Sequence, residues 1–450
     1  MATKFGSNIT GYFFGEALFR QVLSYLESDP FENIPRVLNL ILKAPLKAAH
    51  REEVLSLKQA FATNENIRKF VVRVLQLSDR NVLSRLVINV LLRSYLASTV
   101  RTEELSRQLG FSIPTAILID PTSKCNLRCD GCWAGAYSLH DSLSFEDMNR
   151  VILQAKELGI YFIALSGGEP FLWPRLLELF DKHHDVAFMV YTNGTLIDES
   201  IAEGLRQVGN VSPAISLEGG RERTDARRGK GVFDKVMAAM DHLRSKRVAF
   251  GTSVTLTRHN CFEVVSDEFA DFLIEKGVLY VWGFYYVPIG RNPDFSLRLT
   301  PQQRAKLVNE VRSLRERKPI MYIDFWNDAY ATQGCIAGGR RFFHIAADGA
   351  AEPCVFAHFS NMNIKDHSIS EVLQSPIFRA YQKRQPFNEN MLQPCPILDN
   401  PQFLREMVAE SNAMPTHAGA ESILTGRCAE MLDQYARQWA ELSVNFKSGK

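Results

Sequence analysis

Apolar residues recur three and four positions apart in the N-terminal part of the chain, within segments bounded by polar stretches. This spacing brings the apolar side chains onto one face of a helix. It predicts helices in the segments FENIPRVLNLILKAPLKAAH (31–50), IRKFVVRVLQL (67–77) and RNVLSRLVINVLLRSYLAS (80–98). We therefore predict a helical N-terminal region over residues 1–112.

From residue 113 to residue 330 the pattern changes to short apolar runs, separated by helical segments such as FEDMNRVILQAKELG. This alternation predicts parallel βαβ units, either in an open sheet or in a barrel. In such folds the reactive groups lie at the carboxyl ends of the strands. The predicted strands are TAILIDPTS, YFIALSGG, VAFMVYTNG, VSPAISLEGG, AFGTSVTLT, LYVWGFYYVP and IMYIDFW.

The predicted N-terminal helices are basic, since twelve Lys or Arg residues and four acidic ones lie between Arg36 and Arg101. One interpretation is a helical subdomain with a solvated charged face. The other is a surface that holds an anionic or lipidic partner, which would place the protein peripherally at a membrane surface. The sequence leaves both open.

The chain contains eight cysteines, and its first residues, MATKFGSNITGYFF, lack the basic start and apolar core of a signal peptide. This combination favours metal binding or catalysis over disulfides, and the cytoplasm is the expected location. No segment approaches the roughly 18 uninterrupted apolar residues of a membrane-spanning helix. The net charge of +2 gives no reason to expect a nucleic-acid partner.

The loop after the first predicted strand carries Cys125, Cys129 and Cys132. Three thiolates at these spacings can hold one face of a [4Fe–4S] cluster and leave one iron open, as catalytic metals keep an exchangeable position. A structural zinc site is the alternative. Zinc sites commonly use two Cys or His pairs, and no second pair follows at zinc-finger distance.

The next strand ends carry small and polar residues. The second ends in Ser166-Gly-Gly-Glu-Pro170, the third in Tyr191-Thr-Asn-Gly194 and the fourth in Ile215-Ser-Leu-Glu-Gly219. A Gly-Gly pair alone is a weak signal, because turns need glycine anyway. Ser216 and Glu218 lie on the same face of their strand, since alternate residues do. Arg227 and Arg228 follow shortly after.

Together these motifs resemble the radical S-adenosylmethionine (SAM) superfamily, over about residues 115–330. The resemblance implies an α/β fold, a partial (β/α)6 TIM-like barrel, over residues 113–330. It also implies that SAM chelates the open iron and that a donor such as ferredoxin or flavodoxin supplies one electron. Cleavage of SAM then yields a 5′-deoxyadenosyl radical that abstracts hydrogen from a substrate. One departure is Gly131, where the family usually has an aromatic residue; here Trp133 follows the third cysteine instead.

The resemblance also assigns SAM-binding residues. The Gly-Gly-Glu-Pro motif is expected at the SAM amino group, Asn193 near the ribose, and the fourth strand at the ribose or methionine end. Arg228 is expected to pair with the SAM carboxylate, which suits a guanidinium fork, with Arg227 as the alternative. The expected cofactor-binding residues are Gly167, Gly168, Glu169, Asn193, Ser216, Glu218 and Arg228.

Residues 331–450 start with Cys335 and Cys354 around Gly349, in a predicted hairpin. This pattern resembles the SPASM or twitch extension, which carries auxiliary Fe–S clusters. Since only Cys395 and Cys428 follow, we expect one auxiliary [4Fe–4S] cluster held by Cys335, Cys354, Cys395 and Cys428. A substrate group in place of Cys428 is the alternative. The remaining cysteine, Cys261, is expected to be a small buried hydrophobe.

Candidate catalytic residues come from the later strand ends, and we expect Asp324 and Tyr286 to act near the target carbon. An acid is rarely buried without a partner or a function. The aromatic residues there, including Tyr285 and Trp326, can equally be barrel packing. Asn327 is a further candidate.

Three hypotheses for the function follow. The first is modification of a lipid or other long apolar molecule, motivated by the basic, apolar-rich N-terminal helices. The second is modification of a peptide or protein, because auxiliary-cluster extensions are frequent in peptide maturases. The third is a non-catalytic Fe–S scaffold or sensor, which the intact cysteines, Gly168, Glu169 and Arg228 disfavour.

Overall fold

A computed structural model of the chain describes residues 16–43 and 48–446. The segment in which we expect no signal peptide, and parts of the predicted N-terminal region, therefore lie outside the described residues. The predicted N-terminal helices are confirmed, and the side chains of Asp29, Asn64 and Asp79 cap three of them. The Asn64 side chain accepts from the backbone N–H groups of Asn66 and Ile67, and that of Asp79 accepts from Asn81. Such caps satisfy N–H groups that lack a partner within the helix.

The N-terminal helices are Glu16–Ser28, Pro30–Ile41, Ala48–Thr63, Glu65–Leu77, Arg80–Leu86, the π-helix Val87–Ser98, and Thr99–Leu109. None of the helices within residues 16–43 and 48–446 combines the length and the apolar character needed to cross a membrane.

All seven predicted strands are present and form parallel neighbours in sequence order. They are β1 (Ala116–Ile119), β2 (Phe162–Leu165), β3 (Ala187–Thr192), β4 (Val211–Ser216), β5 (Gly251–Leu256), β6 (Tyr280–Tyr285) and β7 (Met321–Asp324). Six helical crossovers join them, as the (β/α)6 prediction requires. In the described part of the chain the sheet has β7 at one edge and does not close, so the barrel is partial.

The crossovers between the strands contain one or two helices each, and the apolar faces of these helices pack on the sheet. Helices Phe145–Glu157 and Leu176–Lys182 precede β2 and β3, and Glu199–Val208 precedes β4. The remaining crossover helices are Arg221–Arg228, Val232–Ser245, Asp267–Glu275 and Pro301–Arg317.

The C-terminal extension continues the barrel sheet. Strand β8 (His344–Ile345) pairs in parallel with β1, and β9 (Ala351–Glu352) pairs antiparallel with β8. The sheet thus crosses the expected domain boundary at residue 330, and the domain bounds stay predictions. The other elements are helices Ala329–Thr332, Ile369–Val372, Pro376–Arg384, Pro401–Ser411 and Gly426–Ser443, and the paired strands β10 (Phe359–Ser360) and β11 (Met414–Pro415).

The N-terminal helices lie at the end of the barrel where the strands begin. Asn89 donates to backbone carbonyls just before β3, and Asn81 donates to carbonyls just before β4. Arg73 donates to the carbonyls of Val278, before β6, and Pro319, before β7. Since the cysteine loop follows the carboxyl end of β1, the helices cover the end of the barrel opposite to it.

Candidate active site

The first cysteine cluster lies on the loop after β1, and the end of β2 holds this loop in place. The backbone N–H of Gly168 donates to the Thr122 carbonyl at 2.9 Å, and that of Glu169 donates to the Lys124 carbonyl at 2.8 Å. A Cβ atom added to Gly168 would lie 2.1 Å from the Lys124 carbonyl oxygen. Glycine at this position therefore allows the two backbones to approach closely.

Gly168→Ala is expected to displace the cysteine loop, because the new methyl group meets backbone rather than a movable side chain. Chains reconstituted without oxygen should then lose about half of their iron, from roughly eight to roughly four atoms. Iron and sulfide analysis checks this result. Gly231→Ala is the control, since a Cβ there meets nothing within 4 Å, although Gly231, unlike Gly168, has a positive φ of +82°. Full iron content in Gly168→Ala would contradict the expectation.

The three thiols border a cavity of about 270 Å³ at the carboxyl ends of the strands. Burial raises the pKa of Cys125 to about 11, and the nearby Cys129 and Cys132 contribute in the same direction. Most of the predicted SAM-binding residues lie in the wall of this cavity. Those that line the cavity are Gly167, Gly168, Asn193, Ser216 and Arg228, together with Arg227 and Tyr286.

Glu169 is buried behind the wall and joins β2 to β3. Its carboxylate accepts from the Thr192 hydroxyl at 2.7 Å and from the backbone N–H groups of Asn193 at 2.8 Å and Phe171 at 3.1 Å. The Asn193 side chain in turn donates to Asn126, inside the cysteine loop, at 2.8 Å. In this structure Glu169 thus positions the β3 end, which contacts the loop.

Glu218 is also buried, where it pairs with both candidate arginines. Its Oε1 accepts from Arg227 Nη1 at 2.6 Å and from Arg228 Nε and Nη2 at 2.9 and 2.6 Å. Burial lowers the pKa of Arg228, but the charges of Glu218, Cys129 and Cys132 outweigh it and raise that pKa. Within the described residues, Glu218 Oε2 is buried without a hydrogen-bond partner.

Asp324 lies in a buried network of its own rather than in the cavity wall. Its carboxylate accepts from the Asn327 side chain at 2.7 Å, from the Tyr285 hydroxyl at 3.3 Å, and from the backbone N–H groups of Trp326 and Asn327. The expected catalytic acid therefore organises the end of β7 in this structure. Tyr285 stacks on Trp326 with ring centroids 5.2 Å apart, which matches the packing alternative.

Tyr286, the other expected catalytic residue, does line the cavity. Its hydroxyl accepts from the Asp294 backbone N–H at 3.0 Å. Its ring occupies the space beside Gly131, where an added Cβ would lie 2.7 Å from Tyr286 Cε2. The glycine that departs from the family pattern thus makes room for an aromatic ring supplied by β6.

A second group of cysteines lies in the C-terminal extension. Cys335, Cys354 and Cys395 are each partly buried. Burial together with the Cys335 and Cys395 thiols raises the pKa of Cys354 well above its usual value. Burial and then the charges of these same three cysteines also raise the pKa of the Tyr381 hydroxyl, so the four groups lie close enough to interact electrostatically. We name this group of three cysteines the auxiliary site.

Cys428, the expected fourth ligand, lies near groups other than those named for the auxiliary site. It lies in the first turn of helix Gly426–Ser443, where burial raises its pKa while Ser422 and Arg298 oppose the increase. Its charge also acts on Tyr286, which borders the cavity. The structure thus places Cys335, Cys354 and Cys395 near one another, and Cys428 as the fourth ligand stays a prediction. Cys261 is buried, as expected for a small hydrophobe.

Sequence reasoning missed a buried charged network between the two cysteine groups. His344 Nε2 lies 2.9 Å from Asp120, and His344 Nδ1 lies 2.7 Å from Glu352. Burial lowers the pKa of His344, but Asp120 and Glu352 raise it to about 10. His358 also contacts Glu352, and the Trp133 ring stacks on the His358 ring. The available signal was the hairpin register, which sets His344 opposite Glu352.

The thiol groups fit iron–sulfur clusters better than zinc. Tetrahedral zinc needs sulfur atoms only about 4 Å apart, because each Zn–S bond is about 2.3 Å. Within residues 16–43 and 48–446, no three His, Cys, Asp or Glu side chains meet closely enough to hold a single metal ion. A four-iron cluster occupies more space, so its ligands stand further apart. Cys125, Cys129 and Cys132 would hold one cluster and the auxiliary site another.

Comparisons with known proteins agree with this geometry. Residues 119–272 match the radical SAM superfamily, and residues 335–396 match the SPASM family, an iron–sulfur cluster-binding domain. An Fe-coproporphyrin III synthase of Methanosarcina barkeri is 30% identical over 206 residues, covering 44% of this chain and 51% of that relative. This chain thus aligns with about half of that relative's length.

Two further comparisons cover more of the chain. The mycofactocin maturase MftC of Mycobacterium tuberculosis is 29% identical over 295 residues, covering 61% of this chain and 74% of the relative. Streptococcus suis SuiB, solved with its precursor peptide SuiA, shares the fold with a TM-score of 0.56 and 17% identity, covering 67% of this chain and 75% of SuiB. The chain thus carries a radical SAM domain over residues 119–272 and a SPASM domain over residues 335–396, and it is an enzyme with SAM and [4Fe–4S] clusters as cofactors.

Proposed function

We propose that this radical SAM enzyme modifies a peptide at an uncharged apolar side chain. When bound, the reduced cluster and SAM supply a 5′-deoxyadenosyl radical, which removes a hydrogen atom from an unactivated carbon. The observation that carries the proposal is the composition of the cavity beside the first cysteine cluster. Its deeper wall is apolar and aromatic, and includes Trp282, Phe284, Phe325, Val355 and Phe356.

The charges around the cavity support an uncharged target group. Among the described residues that line it, the cationic ones are Arg227 and Arg228, and Glu218 pairs with both. An anionic substrate group would have to compete with this buried carboxylate. A neutral side chain entering from the open end of the barrel faces no such cost, because it buries apolar surface only.

The relatives support a peptide over a lipid. The names of MftC and of a PqqA peptide cyclase from Ruegeria pomeroyi describe maturation or cyclisation of peptide-derived products. The lipid hypothesis depended on the basic N-terminal helices. Those helices contact the carbonyls that precede β3, β4, β6 and β7, at the end of the barrel away from the cysteine loop.

We assign the residues of the cavity to two tasks. Gly167, Gly168 and Asn193 lie beside the cysteine loop and would bind SAM, with Arg228 or Arg227 reaching its carboxylate after leaving Glu218. Tyr286 lies between the cysteine loop and the strand ends, where it would position the substrate. The electron donor is proposed to be a ferredoxin or flavodoxin.

Deuterium transfer tests the proposal. The reconstituted enzyme, SAM and dithionite are incubated with short peptides that each carry one perdeuterated Tyr, Phe, Leu or Val, and 5′-deoxyadenosine is analysed by mass spectrometry. We expect deuterium in 5′-deoxyadenosine from at least one peptide, and none from a matched peptide with deuterated Asp. Transfer only from deuterated phospholipid vesicles, or only from deuterated coproporphyrin III, would overturn the peptide assignment.

A further inference from the structure

Tyr381 carries a polar atom that the protein itself leaves unsatisfied. The residue lies in helix Pro376–Arg384 and its side chain is fully buried. Within the described residues, its hydroxyl has no hydrogen-bond partner. Two other buried tyrosines differ: the hydroxyl of Tyr280 bonds to Ser212, and that of Tyr285 bonds to Asp324. Leaving a buried hydroxyl unpaired is unfavourable, so we expect a partner outside the protein chain at this position.

The surroundings of Tyr381 point to the auxiliary site. The groups whose charges act on its hydroxyl are Cys354, Cys335 and Cys395. The Tyr381 side chain packs against Gly338, whose backbone N–H donates to the Pro353 carbonyl, next to Cys354, at 2.8 Å. The Tyr381 hydroxyl bonds to none of the three thiols within the described residues. Three thiols and an unpaired buried hydroxyl near one another suit a cluster that is larger than a single ion.

The ring of Tyr381 is held rigidly in this orientation. A Cβ atom added to Gly338, in the loop between Cys335 and Cys354, would lie 2.4 Å from Tyr381 Cβ. The ring also meets Phe387 edge to face, with centroids 5.6 Å apart. Close packing on both sides leaves the hydroxyl little freedom to turn toward another partner.

We propose that the Tyr381 hydroxyl donates a hydrogen bond to the auxiliary [4Fe–4S] cluster and so raises its reduction potential. Three protein thiolates leave one side of such a cluster without a cysteine, and Tyr381 lies near the site they form. Reduction adds negative charge to the cluster, and a hydrogen-bond donor stabilises the reduced state more than the oxidised one. This role belongs to the auxiliary site and holds for any substrate at the first cluster.

The test uses the full chain with Cys125, Cys129 and Cys132 changed to Ala, so that only the auxiliary cluster contributes iron. In this background Tyr381→Phe removes one oxygen atom and keeps the ring. We expect unchanged iron content and a more negative midpoint potential, measured by anaerobic redox titration followed by electron paramagnetic resonance. Tyr322→Phe is the matched control, because the buried Tyr322 hydroxyl also lacks a hydrogen-bond partner within the described residues. The charged or thiol groups near it are Asp324, Arg315 and Cys261 rather than the auxiliary cysteines.

Three results would overturn the proposal. An unchanged midpoint potential in Tyr381→Phe would show that the hydroxyl does not contact the cluster. A three-iron signal would mean that Tyr381 ligates iron rather than donating a hydrogen bond. An equal shift in Tyr322→Phe would reduce the effect to a general loss of buried polarity. The substrate experiment is independent of all three, since it reads deuterium transfer at the other cluster.

Discussion

Changing Cys125, Cys129 and Cys132 together to Ala is expected to abolish reductive cleavage of SAM while the chain keeps about four irons. The three thiols border the cavity that contains the proposed SAM-binding residues, and the auxiliary cysteines lie outside the wall of this cavity. Each cluster should therefore load independently. Anaerobic reconstitution, iron analysis and 5′-deoxyadenosine release with dithionite measure both effects.

Two single variants make this experiment sharper. Cys261→Ala is the control, because that buried cysteine belongs to neither site, and it should keep about eight irons and full SAM cleavage. Cys428→Ala should behave in the same way for iron, since Cys428 lies beside Ser422 and Arg298. A drop to a three-iron auxiliary cluster in Cys428→Ala would instead restore Cys428 as the fourth ligand. Complete loss of iron in the triple variant would show that the C-terminal cysteines hold no cluster.

Arg304→Met is expected to lower the free energy of unfolding by about 3–5 kcal/mol, because it leaves Asp399 as an unpaired buried charge. Both side chains of this ion pair are fully buried. Arg304 also donates to the Leu392 carbonyl at 2.8 Å, and Asp399 accepts from the Cys395 backbone N–H at 3.0 Å. The pair therefore fixes the loop that carries one auxiliary ligand, and iron should fall together with stability. Chemical denaturation and iron analysis check the two effects.

The double variant Arg304→Met/Asp399→Asn separates charge from shape. The amide oxygen keeps an acceptor for Cys395 but carries no charge, so we expect at least half of the lost stability to return. Arg405→Met is the surface control, since the Arg405–Asp433 pair is partly exposed and should contribute about 1 kcal/mol or less. Equal losses in Arg304→Met and Arg405→Met would argue against a special role for the buried pair.

The strands, and the functional residues at their carboxyl ends, were predictable because both depend on local sequence patterns. Short apolar runs separated by helical segments predicted the seven strands. Because parallel strands end at the same side of the sheet, the sequence also predicted that Cys125, Gly168, Asn193 and Ser216 lie close together, as they do around the cavity. The direction of a charged side chain is a different matter. Glu218 was expected at SAM, but in the structure its Oε1 holds Arg227 and Arg228, a choice between partners that spacing does not encode.

Long-range placement was beyond the sequence for a similar reason. Cys428 was predicted as an auxiliary ligand from the number of C-terminal cysteines. In the structure it lies in helix Gly426–Ser443, near Arg298. Asp324 satisfied the rule that a buried acid has a purpose, but the purpose in this structure is a hydrogen-bonded turn around Asn327. The N-terminal helices, for which a binding surface was one of two interpretations, lie at the end of the barrel where the strands begin, because side chains such as Arg73 donate to carbonyls there.

The pairing of β8 with β1 has a consequence for how the chain is made. During synthesis β1 leaves the ribosome early and can pair with β2 on one side. Its other side stays unpaired until residues 341–345 have been made. Until then an apolar strand with unpaired N–H and C=O groups is available to neighbouring nascent chains. The late extension therefore covers the free side of β1 as well as carrying cysteines. Chains that end prematurely before β8 should aggregate even though every crossover of the barrel is present.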